Sequence, residues 1–199
     1  DGRIMRVYEK AYDLSIDKAR SVLSPEHRVI EIGCGTGIMT LGLAPYVAGI
    51  TGVDISPEMI EVAREKRGRC GFSNVDCRVG DGYSLPFEPG SFDAVLLFNT
   101  LHIVKEPEAL LKEAWRLLES SGHVISATDC YAEPVPLGVR VKLVLQELLR
   151  VVGVIPFIRS FTVEDVLQLF RDGSFEVADT GILHPAPVNY YVSGRKVRR

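Results

Sequence analysis

Apolar positions along this chain keep two rhythms. The segments Arg28–Ile32, Gly49–Asp54, Val75–Val79, Phe92–Phe98 and 124–128 are short, rich in Val, Ile, Leu and Phe, and bounded by glycine or polar turn residues, which predicts strands. Beyond Pro107 the spacing becomes helical: Leu110, Leu111, Ala114, Leu117 and Leu118 recur on one face, and Lys112, Glu113, Arg116 and Glu119 fill the other. A second helix is predicted from Pro57, with Ser56 as its N-cap. Strands alternating with helices argue for a largely parallel sheet covered on both faces and joined by right-handed crossovers. Ligand sites then belong at the C-terminal ends of the strands. Two later runs, 175–178 and 190–193, are separated only by a loop and are expected to close the sheet as an antiparallel pair.

Residues 129–161 break the alternation with Pro134, Pro136, a predicted helix over 137–152, then Gly153 and Pro156. This reads as a helical insertion whose Val141, Val144, Leu145, Leu148, Leu149 and Val152 either line a substrate pocket as a lid or pack into a core. With 199 residues and 46% hydrophobic content, the chain suits one domain over 1–199, insertion included.

Charge and composition narrow the partners. The 23 Lys and Arg against 26 Asp and Glu leave a net charge of -3, so no nucleic-acid partner is expected, and the basic cluster Arg195, Lys196, Arg198 and Arg199 reads as a solvated terminal tail. The apolar stretch 151–158 is broken by Gly153 and Pro156 and is far shorter than the ~20 residues of a membrane span, so no transmembrane segment is expected, and no secretory signal pattern is present. Cys34, Cys70, Cys77 and Cys130 form no C-x-x-C pair, and His27, His102, His123 and His184 are scattered without ligand spacing, so no metal site is expected. Free thiols fit a cytoplasmic setting. Oligomeric state is not written in the sequence.

The clearest chemical motif is Val29-Ile30-Glu31-Ile32-Gly33-Cys34-Gly35-Thr36-Gly37, an apolar strand running into three glycines and a helical pattern. Such glycines allow a tight turn and let backbone amides approach a ligand. A dinucleotide site would place its third glycine one position later, where Ile38 stands. Seventeen residues after Gly37, Asp54 ends the next apolar run, where a carboxylate can receive both hydroxyls of a ribose. The competing role for Asp54, a helix cap, is already filled by Ser56.

Together with Gly52-Val53-Asp54-Ile55-Ser56, Gly80-Asp81-Gly82, Leu85-Pro86-Phe87, Ser91-Phe92-Asp93, Asn99 to Val104 and Arg116-Leu117-Leu118 leading to Gly122, this motif resembles the class I S-adenosylmethionine-dependent methyltransferases. The likeness covers about residues 8–130 and is to the ubiquinone/menaquinone biosynthesis methyltransferase-like (type 11) family. It implies a Rossmann-like α/β fold with a mainly parallel seven-stranded sheet, helices on both faces and a C-terminal antiparallel strand pair. It also implies S-adenosylmethionine as cofactor, S-adenosylhomocysteine as product and a small-molecule methyl acceptor. By this resemblance Glu31 and the backbone of Gly33, Gly35 and Gly37 hold the methionine portion, Asp54 the ribose, and Ile55 and Met59 flank the adenine. Asp81 receives the adenine amino group beside Gly82 and Tyr83, and Asn99 offers its carbonyl to the ammonium. Two positions depart from the family pattern: Ser120-Ser121-Gly122 replaces a Pro-Gly-Gly turn, and Cys34 fills the variable site between glycines as a small residue, not a nucleophile.

Methyl transfer from a sulfonium needs alignment and a dry site before it needs a base. Where a base is required, His102 after the fourth strand is the candidate, against a packing role for the same ring; Tyr8, Tyr12 and Tyr131 are candidates to close the pocket. The loop Asn99-Thr100-Leu101-His102 lacks the Pro-Pro-aromatic pattern of base amine methylation, no Pro-Cys nucleophile is present, and a lone Asp129 follows the fifth strand. A partly apolar metabolite fits best. The alternatives are a nicotinamide-dependent oxidoreductase, a non-catalytic S-adenosylmethionine or S-adenosylhomocysteine-binding module, and a protein or nucleic-acid methyltransferase.

Overall fold

The structure, a computed structural model, describes residues 2–135, 138 and 157–197, with side chains from Lys10 onward at the N-terminal end. The helix expected over 137–152, with its lid or core residues, lies outside the described residues. So does the side chain of Tyr8.

Seven strands form one sheet: β1 Arg28–Ile32, β2 Gly49–Asp54, β3 Val75–Val79, β4 Phe92–Phe98, β5 Leu118–Cys130, β6 Phe175–Pro185 and β7 Val188–Lys196, in the order β3-β2-β1-β4-β5-β7-β6. The first five are parallel, and β7 runs antiparallel between β5 and β6. The expected α/β fold with its C-terminal antiparallel pair is therefore observed. Helices α1 Gly2–Arg20, α2 Ile38–Leu43 and α3 Pro57–Cys70 pack on one face, and α4 Pro107–Leu117 and α5 Val163–Asp172 on the other.

Strand alternation sorts the core. Ile30, Ile32, Val95 and Leu97 join Leu110, Leu111, Ala114, Leu117, Val166 and Phe170 in one cluster, while Val29, Ala94, Leu96 and Phe98 join Leu41, Leu43, Ile60 and Ala63 in the other. Burial on both sides is why the central strands read as nearly continuous apolar runs. Strands β1 to β4 begin and end where the sequence pattern places them. β5 begins six residues early: the backbone leaves the helix after Leu117, and Leu118, expected on α4, pairs with Phe92. The pairing then jumps to Ala94 with His123, so Glu119 to Gly122 bulge out of the ladder where the Ser120-Ser121-Gly122 turn falls. β6 extends past 178 as an edge strand exposed along much of its length, which hides it from a reading based on apolar alternation. α5 carries a capping box between Thr162 and Asp165 that the pattern reading passed over.

An ion pair between buried Glu113 and partly exposed Arg116 fixes the turn after β3. Glu113 accepts from the Leu85 amide (2.9 Å) and from Arg116 Nη2 (2.7 Å), and Arg116 donates to the carbonyls of Phe87 (2.7 Å) and Leu85 (3.0 Å). Glu113→Ala strands the arginine and the Leu85 amide together, and is expected to lower stability by about 1–3 kcal/mol, read as a shift of the urea midpoint at unchanged slope.

Candidate active site

The sheet order reverses between β1 and β4, and their C-terminal ends open a crevice that the glycine loop enters. The amides of Gly33 and Cys34 both donate to the Val53 carbonyl (2.7 and 3.0 Å), carrying the chain across the end of β2. The glycines differ in what they require. At Gly33 (φ 80°) a Cβ would stand 2.6 Å from Thr100 Oγ1, so packing excludes a side chain. At Gly35 (φ 51°) a Cβ would meet nothing within 4 Å: the backbone faces open space, as a ligand cradle requires.

Asp54 organises this loop. Its Oδ2 accepts from the Gly35 amide (2.8 Å) and its Oδ1 from the Ser56 amide (2.9 Å), while Ser56 Oγ accepts from the Met59 amide (3.2 Å) as the N-cap of α3. The cap of α3 is thus Ser56, and each Asp54 oxygen keeps lone-pair capacity beyond its backbone bond.

Tyr12, Glu31, Gly33, Gly35, Phe98 and Asn99 wall a cleft of about 200 Å3, with Cys34, Thr36, Ile38 and Met39 completing it among the described residues. Glu31 is fully buried and accepts from the Thr40 hydroxyl. Burial pushes its carboxyl up to about 8 against the opposing Thr40 bond, with the Asp54 charge adding to the rise. Burial likewise pushes the Cys34 thiol up, which leaves it un-ionised and supports the small-filler role. Asn99 takes φ 53°, rare for a residue other than glycine, while its amide donates to the Ala127 carbonyl (2.7 Å).

The remaining sequence candidates lie outside this cleft. Ile55 is 71% exposed and Met59 44%, an unusual display of apolar side chains at the end of β2 and start of α3. The exposed Asp81 accepts from the Tyr83 amide (3.1 Å), and its turn is tied to the end of β2 by the bond from the Gly80 amide to the Asp54 carbonyl (2.9 Å). Gly82 answers to packing: a Cβ there would reach 2.6 Å from Ile32. Gly37 (φ 75°) is the N-cap of α2, closed in by Ala63.

A second, smaller chamber of about 50 Å3 adjoins the cleft and shares Tyr12 and Asn99 with it. Asp129, His184 and Asn189 supply its polar wall, and Ala11, Ser15 and Pro187 complete it among the described residues. Asn189 Nδ2 donates to Asp129 Oδ1 (2.7 Å) and to Asn99 Oδ1 (2.9 Å), and Tyr131 donates to Asp129 Oδ2 (3.0 Å). His102, the sequence candidate for a base, is buried behind this network and lines neither space. Its Nδ1 accepts from the Asp129 amide (3.4 Å), its Nε2 lies 3.9 Å from Asp129 Oδ2, and Tyr131 packs edge-on at 5.8 Å. Desolvation lowers its affinity for a proton, opposed by Asp129. His184 and Asn189 carry no local motif; the pairing of Asp129 with Asn189 across β5 and β7, and of Asn189 with His184 across β7 and β6, brings them to the site.

A seven-stranded sheet with a reversed antiparallel end, a glycine loop leaving β1 and an acid ending β2 define the class I, Rossmann-like methyltransferase fold. Residues 30–126 match the family described as "Methyltransferase domain", a likeness that supports a class I S-adenosylmethionine-dependent methyltransferase. It is 33% identical over 132 residues to the uncharacterized methyltransferase YcgJ of Bacillus subtilis, covering 66% of this chain and 52% of that one. It is 38% identical over 97 residues to the demethylmenaquinone methyltransferase of Tropheryma whipplei, covering 49% and 39%. The chain thus spans about half or less of the length of these relatives. Among solved structures, YcgJ superposes with a TM-score of 0.73 at 19% identity (95% of this chain, 99% of that one), and the cyclase SpnF with 0.75 at 21% identity (94% and 81%). These two likenesses establish the fold.

Glu31 ties stability to pH. From its ordinary value of 4.5 up to about 8 the folded chain holds a proton that the unfolded chain has lost, so this residue's contribution to stability falls as pH rises through that window. Glu31→Gln is expected to melt near wild type at the acid end and increasingly above it toward alkaline pH; parallel melting curves would contradict a neutral Glu31.

Proposed function

We propose that the chain binds S-adenosylmethionine in the β1–β4 cleft and transfers its methyl group to a small-molecule acceptor entering from the adjoining chamber, leaving S-adenosylhomocysteine. The observation carrying this reading is the connected pair of spaces: a cleft with a buried carboxyl and an open Gly35 cradle, joined at Tyr12 and Asn99 to a second polar chamber. The net charge of -3 supports a small acceptor over nucleic acid, and four free cysteines support a cytoplasmic setting. No helix among the described residues is long and apolar enough to cross a membrane.

The donor set fits the cofactor. When bound, S-adenosylmethionine supplies a sulfonium methyl group open to in-line displacement. Glu31 is the group to receive its ammonium, helped by the Asn99 carbonyl, with the Gly33–Gly35 backbone alongside the methionine portion. Asp54 has capacity left for ribose hydroxyls, the exposed Ile55 and Met59 can flank a flat base, and Asp81 with Gly82 stands beyond them for its amino group. Tyr12 and Phe98 narrow the cleft and keep water from the reacting centre.

Calorimetric titration tests this. S-adenosylhomocysteine is expected to bind saturably and near stoichiometrically, NAD to give no response, and Asp54→Ala to weaken binding by about tenfold or more, the cost of losing charge-assisted hydrogen bonds. Folded wild-type protein that does not bind S-adenosylhomocysteine would end the methyltransferase reading. Binding near neutral pH is also expected to release a proton as Glu31 ionises against the ammonium. The apparent enthalpy then varies with the buffer's ionisation enthalpy in wild type and not in Glu31→Gln.

A further inference from the structure

Asn189 of β7 lines the second chamber, 9% exposed, with Asp129 of β5 opposite it in one ladder and His184 of β6 opposite it in the other. Its Nδ2 donates twice, to Asp129 Oδ1 (2.7 Å) and to Asn99 Oδ1 (2.9 Å). A carboxylate only accepts, and Asp129 Oδ2 already receives the Tyr131 hydroxyl (3.0 Å). The Asn189 amide must therefore turn its NH2 group toward Asp129, and the second hydrogen of that group goes to Asn99. Asp129 thus fixes which end of the Asn189 amide Asn99 meets.

Asn99 is the residue that uses this bond. Its φ of 53° lies in the left-handed region, where a residue bearing a Cβ is disfavoured. On one side its own amide is bound to the Ala127 carbonyl (2.7 Å), and on the other the Thr100 hydroxyl donates to the Ile32 carbonyl (3.0 Å). These ties fix the ends of the turn. The bond from Asn189 holds the side chain between them, and with it the positive φ. Because Asn99 lines the cleft as well as the chamber, one side chain connects the last strand of the sheet to the proposed cofactor site.

We propose that Asn189 is a positioning residue for the cofactor cleft: its bond to Asn99 Oδ1 holds Asn99 at positive φ, and so holds the carbonyl assigned to the cofactor's ammonium. The inference rests on the methyl-transfer reading and extends it to a residue 90 positions downstream of the one it acts through. Once the bond is lost, Asn99 relaxes toward negative φ. The turn must then be restored at the moment of binding, and affinity falls by the cost of ordering it.

Calorimetric titration with S-adenosylhomocysteine tests this on variants whose melting temperatures show them folded. Asn189→Leu keeps the outline of the side chain and removes both bonds, and is expected to weaken binding about tenfold. Asn99→Ala removes the receiving oxygen and is expected to lose as much. The double variant Asn99→Ala/Asn189→Leu is expected to lose no more than either, because a single bond is broken from both ends. Asn99→Gly is expected to bind more tightly than Asn99→Ala, since glycine takes a positive φ freely; a residue that only filled space would give the reverse order. Wild-type affinity in Asn189→Leu or in Asn99→Ala, losses that multiply to about 100-fold in the double variant, or Asn99→Gly binding no better than Asn99→Ala would each overturn the proposal. If Asn189→Leu does not fold, the two Asn99 variants decide alone. Wild-type protein that fails to bind S-adenosylhomocysteine overturns the methyl-transfer reading and this assignment with it.

Discussion

β1 lies between β2 and β4, parallel to both, and neither neighbour is its successor across a simple hairpin. Because the order reverses at this strand, the chain leaving β1 and the chain leaving β4 diverge to opposite faces of the sheet and leave a gap between them. Glu31, the glycine loop and Asn99 stand at that gap because they are the last residues of these two strands or the first beyond them. The two apolar clusters hold the gap open from both faces, so the site depends on packing far from its own atoms.

Within the gap one carboxylate does two structural tasks. Asp54 binds the amide at the middle of the glycine loop and the amide that begins α3, so the loop, the end of β2 and the helix entry share a single anchor. Lys66 of α3 returns to the same loop, donating to the Thr36 hydroxyl (2.8 Å) and carbonyl (3.2 Å). The cradle is thereby fixed before a ligand arrives, and binding spends little on ordering it.

The parts of the fold legible in the sequence are those where one chemical pattern meets one environment. β1 to β4 are buried on both faces or end in glycine and aspartate, and the start of α3 carries Ser56 and Pro57, so their bounds could be read directly. Leu118 shows the opposite case: an apolar residue at helical spacing is equally suited to a strand, and its pairing with Phe92 decides between them. The length of β6 was hidden by its edge position. In the site, Glu31, Gly33, Cys34, Gly35 and Asn99 were legible because they cluster around two short motifs, and the structure brings them into one cleft. The sequence directed attention to His102 because it lies three residues from Asn99. His184 and Asn189 are distant in sequence and reach the chamber through the β5–β7 and β6–β7 ladders.

That ladder divides the molecule by chain position. Every described residue lining the cleft falls at or before Asn99, whereas three of those lining the chamber, His184, Pro187 and Asn189, come from the hairpin formed by the last two strands. The two spaces can therefore evolve on separate schedules. Exchange of a few hairpin side chains can retune the smaller space while the glycine loop is left untouched, so the head of the chain and its tail can carry separate tasks.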